Sequence, residues 1–200
     1  MAAVTGGLLP VPPALAGAWT HAGGSGQAIL QVSAVSSTHA FGPSSALYAS
    51  RPFDKVEVTL VIEYGLTDWL TLIAAPQFLY VSLGAPGPSS YAGAGYSDLG
   101  ARVRLWQGED WVVSAQAVAR LPGTGGSAGA AAVGYEDAEL DLRLLAGRSF
   151  SLWGRPAWLD VQVADRLRFG DPPDEWRLDV SLGVRVAPRW QVLLQSFNTI

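Results

Sequence analysis

The stretch VEVTLVIEYGLTDWLTLIAAPQF, residues 56–78, contains two apolar runs on either side of a short polar break. In the first run, apolar side chains from Val56 to Tyr64 alternate with a second set that includes Glu57 and Glu63. This two-residue alternation predicts a β-hairpin with one apolar face and one face that carries carboxylates. In a soluble sandwich the apolar face would pack into a core. In a membrane barrel it would meet lipid, and the carboxylates would face the lumen.

The composition of the chain narrows the class of protein. Its 200 residues are 49% hydrophobic and 15% charged, whereas globular domains carry about 25% charged residues. The net charge of -4 argues against nucleic-acid binding. The chain has no cysteine, which excludes disulfides, thiolate metal sites and cysteine nucleophiles. It also lacks an uninterrupted apolar run of about 18 residues, so no membrane-spanning helix is predicted.

The N-terminal segment is apolar and ends in Ala14-Leu15-Ala16, which resembles a signal-peptide cleavage site. No Lys or Arg precedes this apolar stretch, and prolines interrupt it. We interpret residues 1–16 as a signal peptide or a disordered segment, and residues 17–200 as a single β-barrel domain. If the signal peptide is real, the protein leaves the cytoplasm.

Strand-like runs recur from residue 26 onward, and many have the length of about nine to eleven residues that a tilted strand needs to cross a bilayer. Nine such runs are predicted, most of them in hairpins with short turns. The links between hairpins are longer and rich in Gly, Ser, Pro and acidic residues, at 82–96, 122–137 and 170–175. Short turns at one end and long loops at the other are typical of outer-membrane barrels.

Most charged residues of the strands fall on one parity of the alternation. In a barrel they would line the lumen, and because both signs are present we do not expect strong ion selectivity. The predicted lumen-lining residues are Glu57, Glu63, Arg102, Arg104, Arg120, Glu139, Asp141, Arg143, Asp160, Asp179 and Arg185. A soluble sandwich would show the same alternation, so parity alone does not choose between lipid and core.

Four tryptophans, Trp69, Trp111, Trp153 and Trp190, lie at or close to the residue that follows a short turn. An indole ring favours a membrane interface, where its ring is apolar and its N–H is hydrated. Their repetition predicts an interfacial aromatic girdle. Strict alternation, however, places Trp69 on the parity of Thr71 and therefore on the lumen side.

The sequence gives little support for catalysis or cofactor binding. Gly123–Ala128 fits a loose G-x-G-x-x-A pattern, but no helix of sufficient length follows it, so we interpret it as a surface loop. His21 and His39 have no third ligand at a spacing that suggests a metal site. Acids and arginines interleave as in a salt-bridged lumen rather than as an acid–base pair. We therefore expect neither an enzyme nor a bound cofactor.

Several short segments carry a resemblance to a known family. They are VIEYGLTDWLTL at 61–72, GYSDLGARVRLW at 95–106, ARLPGTGG at 119–126 and QVLLQSFNTI at 191–200. In this order they resemble the outer-membrane β-barrels named for the meta-cleavage pathway of phenol degradation, over roughly residues 50–200. The resemblance implies a barrel of about a dozen strands and uptake of hydrophobic or aromatic compounds.

These patterns together predict an all-β, antiparallel, up-and-down transmembrane β-barrel in the bacterial outer membrane. Nine strands is an odd number, so the barrel is either incomplete at the C-terminus or misassigned at its N-terminal strands. Its expected partners are the lipid bilayer and a small hydrophobic or aromatic solute that it binds or lets pass. Two alternatives remain open, namely a structural barrel without transport and a soluble β-barrel that binds an apolar ligand.

Overall fold

The computed structural model of the protein describes residues 17–43, 45–123, 137–170 and 173–200. The proposed signal segment, 1–16, and most of the glycine-rich link after Leu121 lie outside the described residues. The described part of the chain is all-β, as the sequence predicts. Its strands are β1 Gly26–Phe41, β2 Leu47–Thr67, β3 Leu70–Ala75, β4 Gln77–Leu83, β5 Ser89–Ala94, β6 Ser97–Gln107, β7 Trp111–Leu121, β8 Glu139–Leu152, β9 Arg155–Arg168, β10 Glu175–Ala187 and β11 Trp190–Thr199.

The eleven strands form nine antiparallel runs, because two of the runs are interrupted. Both β3 and β4 pair with β2, and they are separated only by Pro76, which has no N–H to donate to a ladder. On the next run, β5 pairs with β4 and β6 pairs with β3. The sequence predicts nine strands where the structure has eleven, because it joins β3 and β4 into one run and assigns 82–96, which contains β5, as a loop.

The sheet order is β1, β2, β3 with β4, β6 with β5, and then β7 to β11 in sequence. Every pairing between neighbours is antiparallel, and the two edge strands, β1 and β11, do not pair with each other in the described residues. The prediction of an antiparallel sheet is therefore confirmed, whereas the sheet is not closed into a barrel. No helix in the described ranges has the length and apolar character that crossing a membrane would require.

The sheet is strongly curled. Val61 on β2 and Arg177 on β10 line the same cavity of about 220 Å³. Six strand-to-strand steps separate β2 from β10, which would place them about 29 Å apart in a flat sheet at about 4.8 Å per step. The sheet must therefore roll its polar face inward and its apolar face outward.

Burial on the two faces is the inverse of that in a soluble protein. On the concave side, which we call the polar face, Asp160 is 1% exposed and Arg102 is 5% exposed. On the convex side, the apolar face, Leu144 is 62% exposed and Leu99 is 53% exposed. Asp165 is an exception, because cross-strand register with Leu142 and Trp176 places this acid on the apolar face.

Candidate functional site

Cross-strand register shows which predicted lumen residues share a face. Thr71 pairs with Arg102, Arg102 with Gln116, and Gln116 with Arg143, so this row crosses four strands on the polar face. Alternation along each strand, together with the registers of the other pairs, places all eleven predicted lumen residues on the same face. That this face lines a lumen stays a prediction.

Asp141 on β8 is the centre of a buried ion-pair network. Its Oδ1 accepts from Arg143 Nε at 2.6 Å, and its Oδ2 accepts from Arg166 Nη2 at 3.1 Å. Arg177 Nη1 lies 3.8 Å from the same Oδ2. Arg143 also donates to Asp179 Oδ2 at 2.7 Å, which joins β8 to β10. One carboxylate is thus shared by three guanidinium groups in a largely buried site.

The network continues toward the loop end of the sheet. Arg120 makes a two-pronged contact with Asp98, at 2.8 and 3.1 Å. Glu139 lies 3.5 Å from nitrogens of both Arg120 and Arg166. Arg166 and Arg177 are not among the predicted lumen residues. Both could have been identified from the sequence, because Arg166 has the parity of Gln162 and Arg177 has the parity of Asp179.

A second cluster surrounds Glu63 on β2. Its Oε1 accepts from Arg102 Nη2 at 2.9 Å, and its Oε2 lies 3.0 Å from His21 Nε2 and accepts from Gln27 Nε2 at 3.1 Å. Arg102 in turn donates from Nε to Gln116 Oε1 at 3.0 Å. The sequence gives no signal that His21 belongs to this cluster, because the segment that carries it has no strand periodicity.

Residues 17–25, which we call the strap, cross the polar face at its turn end. Ala18 N–H donates to Asp160 Oδ2 at 2.7 Å, and its carbonyl accepts from the Ser114 hydroxyl. Arg102 Nη1 donates to the Trp19 carbonyl at 3.0 Å, and His21 N–H donates to Thr71 Oγ1 at 2.9 Å. The strap is therefore tied to strands that are distant in the sheet order.

Packing adds to these hydrogen bonds. Trp19 packs against a small buried cluster of Ala18, Val112 and Leu145, and its ring meets Trp158 edge to face at 6.1 Å. Gly147 makes room for it, since a Cβ at that position would lie 2.6 Å from the Trp19 ring. The strap thus covers the turn end of the polar face and leaves the part toward the loops uncovered.

Not all predicted lumen residues join these clusters. Glu57 pairs with Lys55, whose Nζ lies 2.8 Å from Glu57 Oε1, away from the Asp141 network. Arg104 and Arg185 form no ion pair with any other described residue. The eleven residues therefore do not form one site. They form one cluster around Glu63 and one around Asp141, and some of them lie outside both.

The four predicted girdle tryptophans are all exposed and all lie at the end of the sheet that carries the short turns. Trp69 occupies the turn between β2 and β3, after a register shift between Gly65 and Thr67. Strand alternation therefore does not apply to it, and the conflict over its side disappears. Trp111 carries the Arg148 guanidinium over its ring at 5.2 Å. Their placement at a lipid interface stays a prediction.

Two adjoining cavities open on the polar face beyond the strap. The larger has a volume of about 520 Å³ and the smaller about 220 Å³. They share Val61, Ala75, Asp98 and Arg120 in their linings. Among the residues that the structure describes, no group of His, Asp and Glu is arranged to hold a metal ion.

No family model, curated protein or solved structure matches this chain. The resemblance to the barrels of phenol degradation therefore stays a prediction, and the geometry of the chain alone carries the argument about function.

Proposed function

We propose that the chain forms the wall of an outer-membrane β-barrel whose polar face binds a small solute and lets it pass. The observation that carries this proposal is the inverted burial of the two faces. A soluble sheet of this size would bury leucine and valine and expose its acids. Here Asp141 and Asp179 are buried, while Leu142, Leu144, Leu178 and Val163 are exposed.

The exposed apolar area is also too continuous for a water-facing surface. Exposed large apolar side chains occur on both halves of the sheet, from Leu30 on β1 to Leu194 on β11. Soluble monomers rarely expose apolar patches beyond a few hundred Å². Hydrocarbon is a medium in which such a surface is stable, provided that the backbone hydrogen bonds are made within the sheet.

Strand length agrees with this environment. β7 has 11 residues, which span about 36 Å at about 3.3 Å per residue and about 28 Å through a bilayer at a tilt of about 40°. The apolar band of outer-membrane barrels is about 25 Å tall. Exposed tryptophans at the turn end supply the aromatic residues expected at one interface.

The strap gives a specific reason to keep a second candidate, a structural barrel without transport. Together with the Glu63 cluster, it fills much of the polar face at the turn end. A solute that enters from the loop end would reach the cavities but could not continue unless the strap moved. A barrel that lets solutes pass and a purely structural barrel therefore differ in whether solutes exchange across the membrane.

Fractionation of bacterial cells that express the chain tests the location. We expect the protein in the outer-membrane fraction after a sodium carbonate wash, because its apolar face requires lipid or detergent. The same purified protein, folded into phospholipid vesicles, is expected to speed exchange of labelled glycerol over that of empty vesicles. A stable monomer in detergent-free buffer would contradict the membrane assignment. Membrane insertion without glycerol exchange would favour the structural barrel.

A further inference from the structure

We propose that the two adjoining cavities form one site for a small hydroxylated organic acid, with its carboxylate at Arg177 and Arg166. This inference rests on the proposed function and names the class of solute. It departs from the hydrophobic or aromatic solute that the sequence predicts. It is supported by the contrast between polar groups in the two cavities that already have partners and those that have none.

The smaller cavity is rich in guanidinium groups. Its lining contains four arginines and two aspartates. The arginines are Arg120, Arg143, Arg166 and Arg177, and the aspartates are Asp98 and Asp141. The further acids Glu139 and Asp179 lie behind this lining and are held by Arg120, Arg143 and Arg166. The lining itself therefore presents four guanidinium groups and two carboxylates, with the two further acids paired beside it.

Arg177 is the least satisfied of the four. Its nearest carboxylate oxygen is Asp141 Oδ2 at 3.8 Å, which is too long for a hydrogen bond. That same oxygen already accepts from Arg166 at 3.1 Å. The Nε atoms of Arg177 and Arg166 are both buried without a partner among the described residues. Because both arginines line the cavity, an added carboxylate there could accept from their guanidinium groups in charge-assisted hydrogen bonds.

The larger cavity offers neutral hydrogen-bonding groups. The side chains of Gln31 and Ser33 on β1 make no hydrogen bond to other residues that the structure describes, and both residues line the cavity. Thr59 on β2 and Gln77 on the neighbouring strand β4 are joined by one hydrogen bond of 3.1 Å. The charged lining residues have partners, as in the pair of Asp98 and Arg120. A body that bears hydroxyl groups suits this wall better than an apolar ring.

The two cavities have room for a solute of about six carbons. The larger cavity, at 520 Å³, has the volume of about 17 liquid water molecules. Because the two cavities share Asp98 and Arg120, one solute can place its hydroxylated body in the larger and its carboxylate in the smaller. Gluconate and sorbitol are matched probes, since both are open six-carbon chains that bear hydroxyl groups and they differ in charge.

Protection of a cysteine tests the site, because the natural chain has no cysteine. Ser33→Cys places one thiol in the wall of the larger cavity, where a water-soluble methanethiosulfonate reagent can modify it in the folded, detergent-solubilised protein. We expect gluconate to slow this modification with a half-protecting concentration about tenfold below that of sorbitol, the effect of one charge-assisted hydrogen bond of about 1.4 kcal/mol.

A second substitution in the same protein identifies the anchor. Arg177→Gln is expected to raise the half-protecting concentration of gluconate several-fold toward that of sorbitol, because Arg166 remains, and to leave the value for sorbitol unchanged. Arg104→Gln, an arginine of the polar face outside both cavities, is the matched control and should change neither value.

The outcomes separate this inference from the proposed function. Equal protection by gluconate and sorbitol, no protection by either, or a gluconate value that Arg177→Gln leaves unchanged would overturn the organic-acid site. None of these results changes whether the chain resides in the outer membrane. A soluble monomer that still shows the expected protection would overturn the proposed function and support the site.

Discussion

Replacing Leu144 with arginine is expected to lower the free energy of unfolding in phospholipid vesicles by about 2–4 kcal/mol, the cost of a lipid-facing cation near the bilayer midplane. Leu144 lies near the middle of β8, pairs with Ala115 and is 62% exposed. In a soluble protein, replacing a leucine this exposed with arginine would change the free energy of unfolding by no more than about 0.5 kcal/mol. Urea titration of the folded fraction in vesicles measures the difference.

Leu121→Arg is the matched control, because Leu121 is an exposed leucine at the loop end of β7. At an interface the arginine can extend its guanidinium into water, so the expected cost is about 0–1 kcal/mol. Equal costs at the two positions would show that the apolar face does not meet a hydrocarbon layer with a defined midplane.

The second large effect is expected from Asp141→Ala, which should lower the free energy of unfolding by about 3–5 kcal/mol. The substitution removes the carboxylate that faces Arg143, Arg166 and Arg177. Arg143 keeps Asp179 and Arg166 keeps Glu139, but Arg166 loses its hydrogen bond to Asp141 and Arg177 loses its ion-pair partner in a buried site. The unfolding midpoint in the same vesicles gives the cost.

Asp165→Ala is the control for this prediction, since Asp165 lies on the strand next to Asp141 but on the apolar face. It forms no ion pair with a described residue, and its removal should leave stability unchanged or raise it by up to about 1 kcal/mol. If Asp141→Ala costs no more than Asp165→Ala, the buried network does not hold the polar face together.

Local alternation explains how much of the fold could be predicted. Successive side chains of a strand point to opposite faces, so the sequence alone separates the polar from the apolar face. The parity of Glu63, Arg102 and Asp141 therefore places them together without knowledge of the register. The break at Pro76 changes the strand count but not the sheet order, because the residues on either side still pair with β2.

The remaining features depend on contacts between residues far apart in the chain. The strap has no periodicity, and its anchor Asp160 lies 142 residues from Ala18, so no local pattern could have placed His21 beside Glu63. Closure depends on β1 and β11, the strands most distant in sequence. With nine antiparallel runs, β1 and β11 point in the same direction. Hairpin patterns in the sequence concern strands that follow one another, so they carry no information about whether β1 and β11 pair.

The central claim is that the apolar face meets lipid while the polar face meets water, and neighbouring residues of β7 test it most directly. Ala117 pairs with Ala101 and Leu142 on the apolar face, whereas Gln116 pairs with Arg102 and Arg143 on the polar face. A bimane label on Ala117→Cys in vesicles should be quenched by doxyl-labelled lipid and not by iodide. The same label on Gln116→Cys should be quenched by iodide and not by the lipid. Quenching of both labels by iodide alone, or the reverse pattern, would contradict the account.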